Sequence, residues 1–168
     1  MTTLSISYGT ATNQAFTGSG VTSDTGLATG RSGTPFSNAT TLYVDMLMSG
    51  VLKTATSITL NTFIEVWVAA NKGGASELTA NCPTSEAAFT PGTEKALMQL
   101  AWSAIVTSTA TAAEKQYDWG PISIASLFGG TLPQHFNYAV FQNTGQPLAT
   151  TTSTSHWITF QGVQYTSA

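Results

Sequence analysis

The chain has 168 residues and a formal net charge of −3, and only 8% of its residues are Asp, Glu, Lys or Arg, against about a quarter in ordinary soluble domains. Its five cations, Arg31, Lys53, Lys72, Lys95 and Lys115, stand singly, so it lacks the basic stripe that neutralises a nucleic-acid backbone. No apolar run approaches the roughly 20 residues that span a bilayer, no cationic, apolar leader opens the chain, and a single Cys82 cannot form an internal disulfide.

Thirty Thr and seventeen Ser carry the polarity that charge leaves out. Threonine is β-branched and suits a pleated, half-buried surface, whereas Glu and Lys are the usual coat of helices. That substitution favours β structure throughout. At this length one domain can bury about two-thirds of its unfolded surface, and the aromatics to fill a core are present.

Residues 1 to 40 are rich in turn formers, from Gly9 through Gly18-Ser-Gly20 to Gly30-Arg-Ser-Gly33 and Pro35. Isolated apolar residues interrupt them. This composition predicts an extended N-terminal arm or meandering loops. Leu4, Ile6, Tyr8, Phe16 and Phe36 are spaced along it like anchors, and they are the expected partner contacts. A β-sandwich domain is expected over 41–168.

The first strand is predicted over Thr41–Met48, with Leu42, Val44, Met46 and Met48 on one face. Ser57–Val68 alternates most clearly: Ile58, Leu60, Thr62, Ile64, Val66 and Val68 share a face. It ends at the turn Asn71-Lys-Gly-Gly74. Residues 75–93, with Pro83 and Pro91, read as a long loop. Lys95–Val106 fits two patterns. Leu97, Leu100, Ala101, Ala104 and Ile105 make a helical stripe, while Met98, Leu100, Trp102, Ala104 and Val106 make a strand face. The Thr-rich flank and the β-rich surroundings favour strand. Ile122–Phe128 comes next, then a Gly129-Gly130 break, a strand over His135–Gln142, a turn at Asn143-Thr-Gly145, and a last strand over Trp157–Tyr165. Seven or eight short strands and no convincing helix predict an all-β, two-sheet antiparallel sandwich or jelly roll.

The chemistry-bearing residues are sparse. Cys82 could pair only with His135 or His156, and Ala80-Asn-Cys-Pro83 matches no catalytic-cysteine signature. Asp45, Glu65 and Asp118 could in principle supply the paired carboxylates of a glycosidase, but outward-facing strand carboxylates are usually only solvated. Two His twenty-one residues apart, without a clustered Cys or carboxylate, do not spell a zinc site. Asn38-Ala-Thr40 is a glycosylation sequon, which matters only in a secreted chain. The expectation is a protein without catalytic residues, metal or cofactor, which acts by binding protein or sugar.

Three phrases carry a resemblance. They are Pro121-Ile-Ser-Ile-Ala-Ser-Leu-Phe-Gly-Gly-Thr-Leu-Pro133, Phe136-Asn-Tyr-Ala-Val-Phe-Gln-Asn-Thr-Gly-Gln-Pro-Leu148 and Trp157-Ile-Thr-Phe-Gln-Gly-Val-Gln-Tyr165. Together with Phe63-Ile-Glu-Val-Trp-Val-Ala-Ala70 and its Gly73-Gly74 turn, they resemble small structural proteins of tailed bacteriophages. The resemblance spans roughly residues 57–74 and 121–166. It implies a jelly-roll-like capsid decoration (cement) protein on the virion exterior that bridges major capsid protein subunits. It implies no active-site residue. Homotrimers, or dimers, are expected, because thirteen charged residues give weak protection against self-association. The alternative is a phage fibre domain or non-viral sandwich that binds carbohydrate through exposed Trp67, Trp119 or Trp157.

Overall fold

Strands form where β-branched and aromatic residues cluster, and they assemble into two antiparallel sheets packed face to face. The structure, a computed structural model, describes residues 4–71, 83, 85–107, 114–149 and 156–167. In chain order the strands are β1 (Leu4–Tyr8), β2 (Thr12–Ala15), β3 (Gly30–Ser32), β4 (Phe36–Ser37), β5 (Asp45–Lys53), β6 (Thr62–Asn71), β7 (Ala87–Phe89), β8 (Gln99–Val106), β9 (Gln116–Ser123), β10 (His135–Gln142) and β11 (Trp157–Ser167). One sheet runs β1-β11-β5-β9, with β2 also on β11; the other runs β7-β3-β10-β6-β8, with β4 also on β10. Among the described residues, helix is confined to the one-turn α1 (Ile124–Leu127) and 3₁₀ segments at Gly18–Gly20 and Gly92–Leu97. The chain is an all-β sandwich.

Aromatic rings tie the sheets together. Phe160 of β11 meets Phe136 and Tyr138 of β10 at 5.6 and 5.8 Å between centroids. At the other side Trp102 of β8 stacks on Trp119 of β9 at 5.6 Å. Each such pair adds roughly 0.5–1.5 kcal/mol beyond its buried area.

β10 is buried on both faces. Its inner side joins the main core, and its outer side is roofed by a second cluster of Ala69, Met98, Ala139 and Phe141 with Leu27, Trp67 and Phe89 packed against it. Lys95 closes that roof. Its Nζ lies 4.1 Å from the Phe141 ring centroid and 5.0 Å from that of Trp67, donates to the Leu27 carbonyl at 2.5 Å and sits 3.4 Å from Glu65. Asp24 shapes the covering loop by accepting N–H bonds from Gly26, Ala28 and Thr29. Those donors hold its carboxyl below the usual carboxylate range.

Several predicted elements shift, each for a local reason. β5 begins at Asp45 rather than Thr41, because Leu42 adopts φ +55° and Asn38 clamps Tyr43 by accepting from its N–H and donating to its carbonyl. β6 begins at Thr62, since Ser57 and Asn61 also lie at positive φ; the alternation before Thr62 belongs to a loop. The 95–106 segment divides into 3₁₀ helix and then strand β8. A bulge at its pairing with Val66/Trp67 breaks the expected strand face: Trp102 and Val106 turn inward, but Leu100 turns out to water. The loop expected over 75–93 contains the short strand β7, which pairs with β3; the turn expected at Gly73-Gly74 lies outside the described residues. Gln116–Ser123 forms β9, where no strand was expected and where Gly120-Pro121 interrupts the run. An edge strand tolerates proline, and β9 is one. Within Ile122–Phe128, Ile124–Leu127 is a helical turn, capped by the Ser123 hydroxyl at 3.0 Å and by Asp45 Oδ1, which accepts from Ala125 N–H at 2.9 Å.

The largest difference concerns residues 1–40. The described ones, 4–40, do not hang as a separate arm. β2 extends one sheet, while β3 and β4 build the other. Phe16 is 4% exposed, between Tyr138 and His156, and Val21 is fully buried, its carbonyl bonded by the Gln142 side chain at 3.0 Å. Phe36 stacks on Phe136 at 5.1 Å. Only β1 stands away from the core.

Candidate interaction surface

β11 is eleven residues long and outruns its neighbour. β5 pairs with it from Trp157 to Val163 and stops, because Asp45 is the first residue of β5. β1 pairs with it from Leu4↔Ser167 to Tyr8↔Val163, so beyond Val163 it is paired by β1 alone. The result is a two-stranded ribbon, with no other described strand along either of its edges.

Alternation sorts the ribbon into two chemically different faces. Ser5, Ser7, Gln164 and Thr166 share one face, where the Ser5 and Thr166 hydroxyls are 3.0 Å apart. Leu4, Ile6, Tyr8, Val163 and Tyr165 share the other. On that face Leu4 is 66%, Ile6 59%, Tyr8 61% and Tyr165 57% exposed. Together these four leave on the order of 450 Å² of apolar surface in water, the size of patch that on a monomer often marks an interaction site. The ribbon springs from the body at Gly162. There the Tyr43 ring packs so close to the strand that a Cβ would lie 2.4 Å from it.

No Asp, Glu, Lys or Arg occurs in residues 1–23 or 119–168, so the ribbon carries no charged side chain. A second apolar group on the outer side of β6 and β8, the register pair Phe63–Ile105 with Leu100 and Leu60, is less exposed. The Glu65–Ser103 pair interrupts it.

Of the residues expected as partner contacts, Leu4, Ile6 and Tyr8 therefore lie together on one open face. Phe16 and Phe36 do not join them, since both are packed against the core. Sequence spacing could not separate the two groups. Tyr165 completes the patch; it lies at the far end of the sequence, and only the β1–β11 pairing brings it opposite Ile6.

The candidate chemical residues are dispersed. Asp45 and Asp118 sit opposite Val163 and Val51 of the same sheet, so six residues of strand separate them, about 20 Å. The carboxylates of glycosidases stand about 5–9.5 Å apart. Glu65 lies on the other sheet and accepts from the Trp67 indole N–H at 2.7 Å. Cys82 lies outside the described residues. His156 is buried: its Nδ1 accepts from Lys53 N–H at 3.2 Å, so Nε2 carries the proton toward the Ala149 carbonyl at 2.9 Å. Burial pushes its pKa down. Burial also pushes the Glu86 carboxyl up, but the Arg31 guanidinium at 2.7 Å and the Thr17 N–H outweigh that and hold it low. Among the described residues no three His, Cys, Asp or Glu converge as metal ligands, and no helix is long and apolar enough to cross a membrane.

Among the described residues the surface also carries two concave regions. A groove of about 810 Å³ between the start of β8 and the α1–β10 loop is lined by Leu97, Gln99, Leu127, Phe128, Leu132 and Pro133 among others. A shallow depression of about 340 Å³ holds Ser49, Asp118 and the half-buried Trp157. Of the tryptophans considered for sugar stacking, Trp119 is buried against Trp102 and Trp67 is covered by Lys95.

No protein-family model, curated protein or solved structure matches the chain.

Proposed function

We propose that the chain is a structural protein of a tailed-bacteriophage virion, a decoration protein that attaches to the capsid exterior and bridges major capsid protein subunits. The observation that carries this reading is the apolar, charge-free ribbon of β1 and β11, exposed beside a sandwich whose own core is filled without it. Clamping a shell requires contact area and no reacting group. The phrases that resemble phage structural proteins build β10, α1 and most of β11, so they supply the centre of one sheet and the C-terminal strand of the ribbon, but not β1.

The magnitudes indicate how attachment works. Burying four side chains that are about 60% exposed contributes roughly 1–2 kcal/mol each, and association consumes much of that sum. A single ribbon therefore binds weakly. Firm attachment to a shell comes from several copies acting together, as a symmetric particle allows.

The test is to mix the purified chain with capsids of its source that lack it, then pellet the particles. Stoichiometric co-sedimentation is expected, together with its loss when Leu4, Ile6, Tyr8 and Tyr165 are all replaced by Ser. Absence of the unaltered chain from the pellet at saturating concentration would overturn the reading. A carbohydrate-binding role is the second reading, favoured by the Trp157–Asp118–Ser49 depression, where an aromatic ring sits beside hydrogen-bonding groups. Glycan binding lost in Trp157→Ala but kept in the ribbon variant would favour it.

A further inference from the structure

The edge of β1 has a property beyond exposure. Its sequence, Leu4-Ser-Ile-Ser-Tyr8, reads apolar-polar-apolar-polar-apolar in either direction. An antiparallel pairing centred on Ile6 sets Leu4 opposite Tyr8 of a second copy, Ser5 opposite Ser7, and Ile6 opposite Ile6. In that register every apolar side chain stays on one face, whereas a one-residue slip would mix the faces. Exposed edges are usually guarded by lysine, proline or a bulge. β1 has no charged residue and no proline, and its register with β11 is unbroken over all five residues.

We infer that the partner of this edge is a second copy of the same chain, joined β1 to β1 about a two-fold axis. Such an interface is isologous and closes at two copies, which favours the dimer over the trimer. The two apolar faces then merge into one surface on the order of 900 Å², which reaches the roughly 800 Å² per partner of a standard specific interface where one ribbon falls short. Five residues of edge pairing bury little area, so the dimer is weak and concentration-dependent. The inference goes beyond the capsid reading, and each can fail without the other.

Sedimentation equilibrium of the full chain from about 10 μM to 1 mM, with a crosslinking arm, tests it. The mass is expected to rise with concentration from that of one 17.5 kDa chain toward that of two, and Ile6→Lys is expected to raise the dissociation constant at least tenfold. In a Cys82→Ser background, Ile6→Cys is expected to yield a disulfide-linked dimer on mild oxidation, because directly opposed residues hold their Cβ atoms about 4.5–5.5 Å apart. Thr93→Cys, exposed on the 3₁₀ segment, is the control expected not to crosslink. A monomer at every concentration, a mass of three chains, a dimer indifferent to Ile6→Lys, or crosslinking of Ile6→Cys no better than the control would each overturn the pairing. A dimer that fails to pellet with capsids keeps the pairing and removes the capsid reading; a monomer that pellets does the reverse.

Discussion

β10 and the β1–β11 ribbon obey the same alternation and reach opposite ends. In β10, Phe136, Tyr138 and Val140 face the core while Ala139 and Phe141 face outward, yet both sets are buried. The outward set is covered by Leu27, Phe89, Met98 and the Lys95 side chain. In the ribbon the apolar set is just as regular, but no described element covers it. A pleated strand decides only which residues share a face. Whether that face becomes core or contact surface depends on what the rest of the chain lays over it. On the proposed reading, stability and recognition lie in separate parts of one sandwich.

Truncation should separate the two regions most sharply. Removing residues 1–9 deletes β1 alone and should leave a cooperatively folding sandwich. Removing residues 1–36 also takes Phe16, Val21 and β3, and should abolish cooperative unfolding by circular dichroism. Within the core, Phe160→Ala, which deletes ring contacts to Phe36, Phe136 and Tyr138, should cost about 3–5 kcal/mol in urea unfolding. Loosening the roof over β10 should cost less: Lys95→Ala removes two cation–π contacts and an aliphatic stem, about 1–2 kcal/mol.

A gentler effect is expected from pH. His156 is held neutral in the folded chain, so its folded pKa lies below its unfolded value near 6.5. The unfolded state then binds more protons, and stability rises with pH through this range. His156 contributes fully above about pH 6.5, and its contribution is lost as pH falls through the folded value. The urea midpoint should drop between pH 7.5 and 5.5, and the drop should shrink in His156→Gln. Glu86 and Asp24 act in a lower window, because their depressed carboxyls are titrated only below the ordinary carboxylate range. The smallest effect on folding should come from the ribbon, where Ile6→Ser or Tyr165→Ser should shift stability by no more than about 0.5 kcal/mol.

The all-β sandwich was legible because β-branched alternation is a local signal. His135–Gln142 keeps its predicted bounds, and Ile64, Val66 and Val68 keep their predicted face. What was hidden depends on tertiary context. Positive φ at Leu42, Ser57 and Asn61 trims strands whose alternation reads as continuous. A bulge turns Leu100 outward. Phe16 looks like Ile6 in sequence, an apolar residue among turn formers, yet one is enclosed by Tyr138 and His156 and the other lies on an open edge. The ribbon as a unit was illegible for a further reason: its two halves lie at opposite ends of the chain, and only the long register of β11 joins Leu4 to Ser167.

Hydrogen exchange of the full chain, free and bound to capsids, tests most directly whether the ribbon is the docking surface. Ribbon amides should exchange quickly in the free chain and β10 amides slowly, because exchange follows local opening. On binding, the account predicts new protection concentrated in Leu4–Tyr8 and Val163–Ser167, with β10 unchanged. Protection confined to the Phe63–Ile105 face or to the Trp157 depression, with the ribbon exchanging as it does in the free chain, would contradict it.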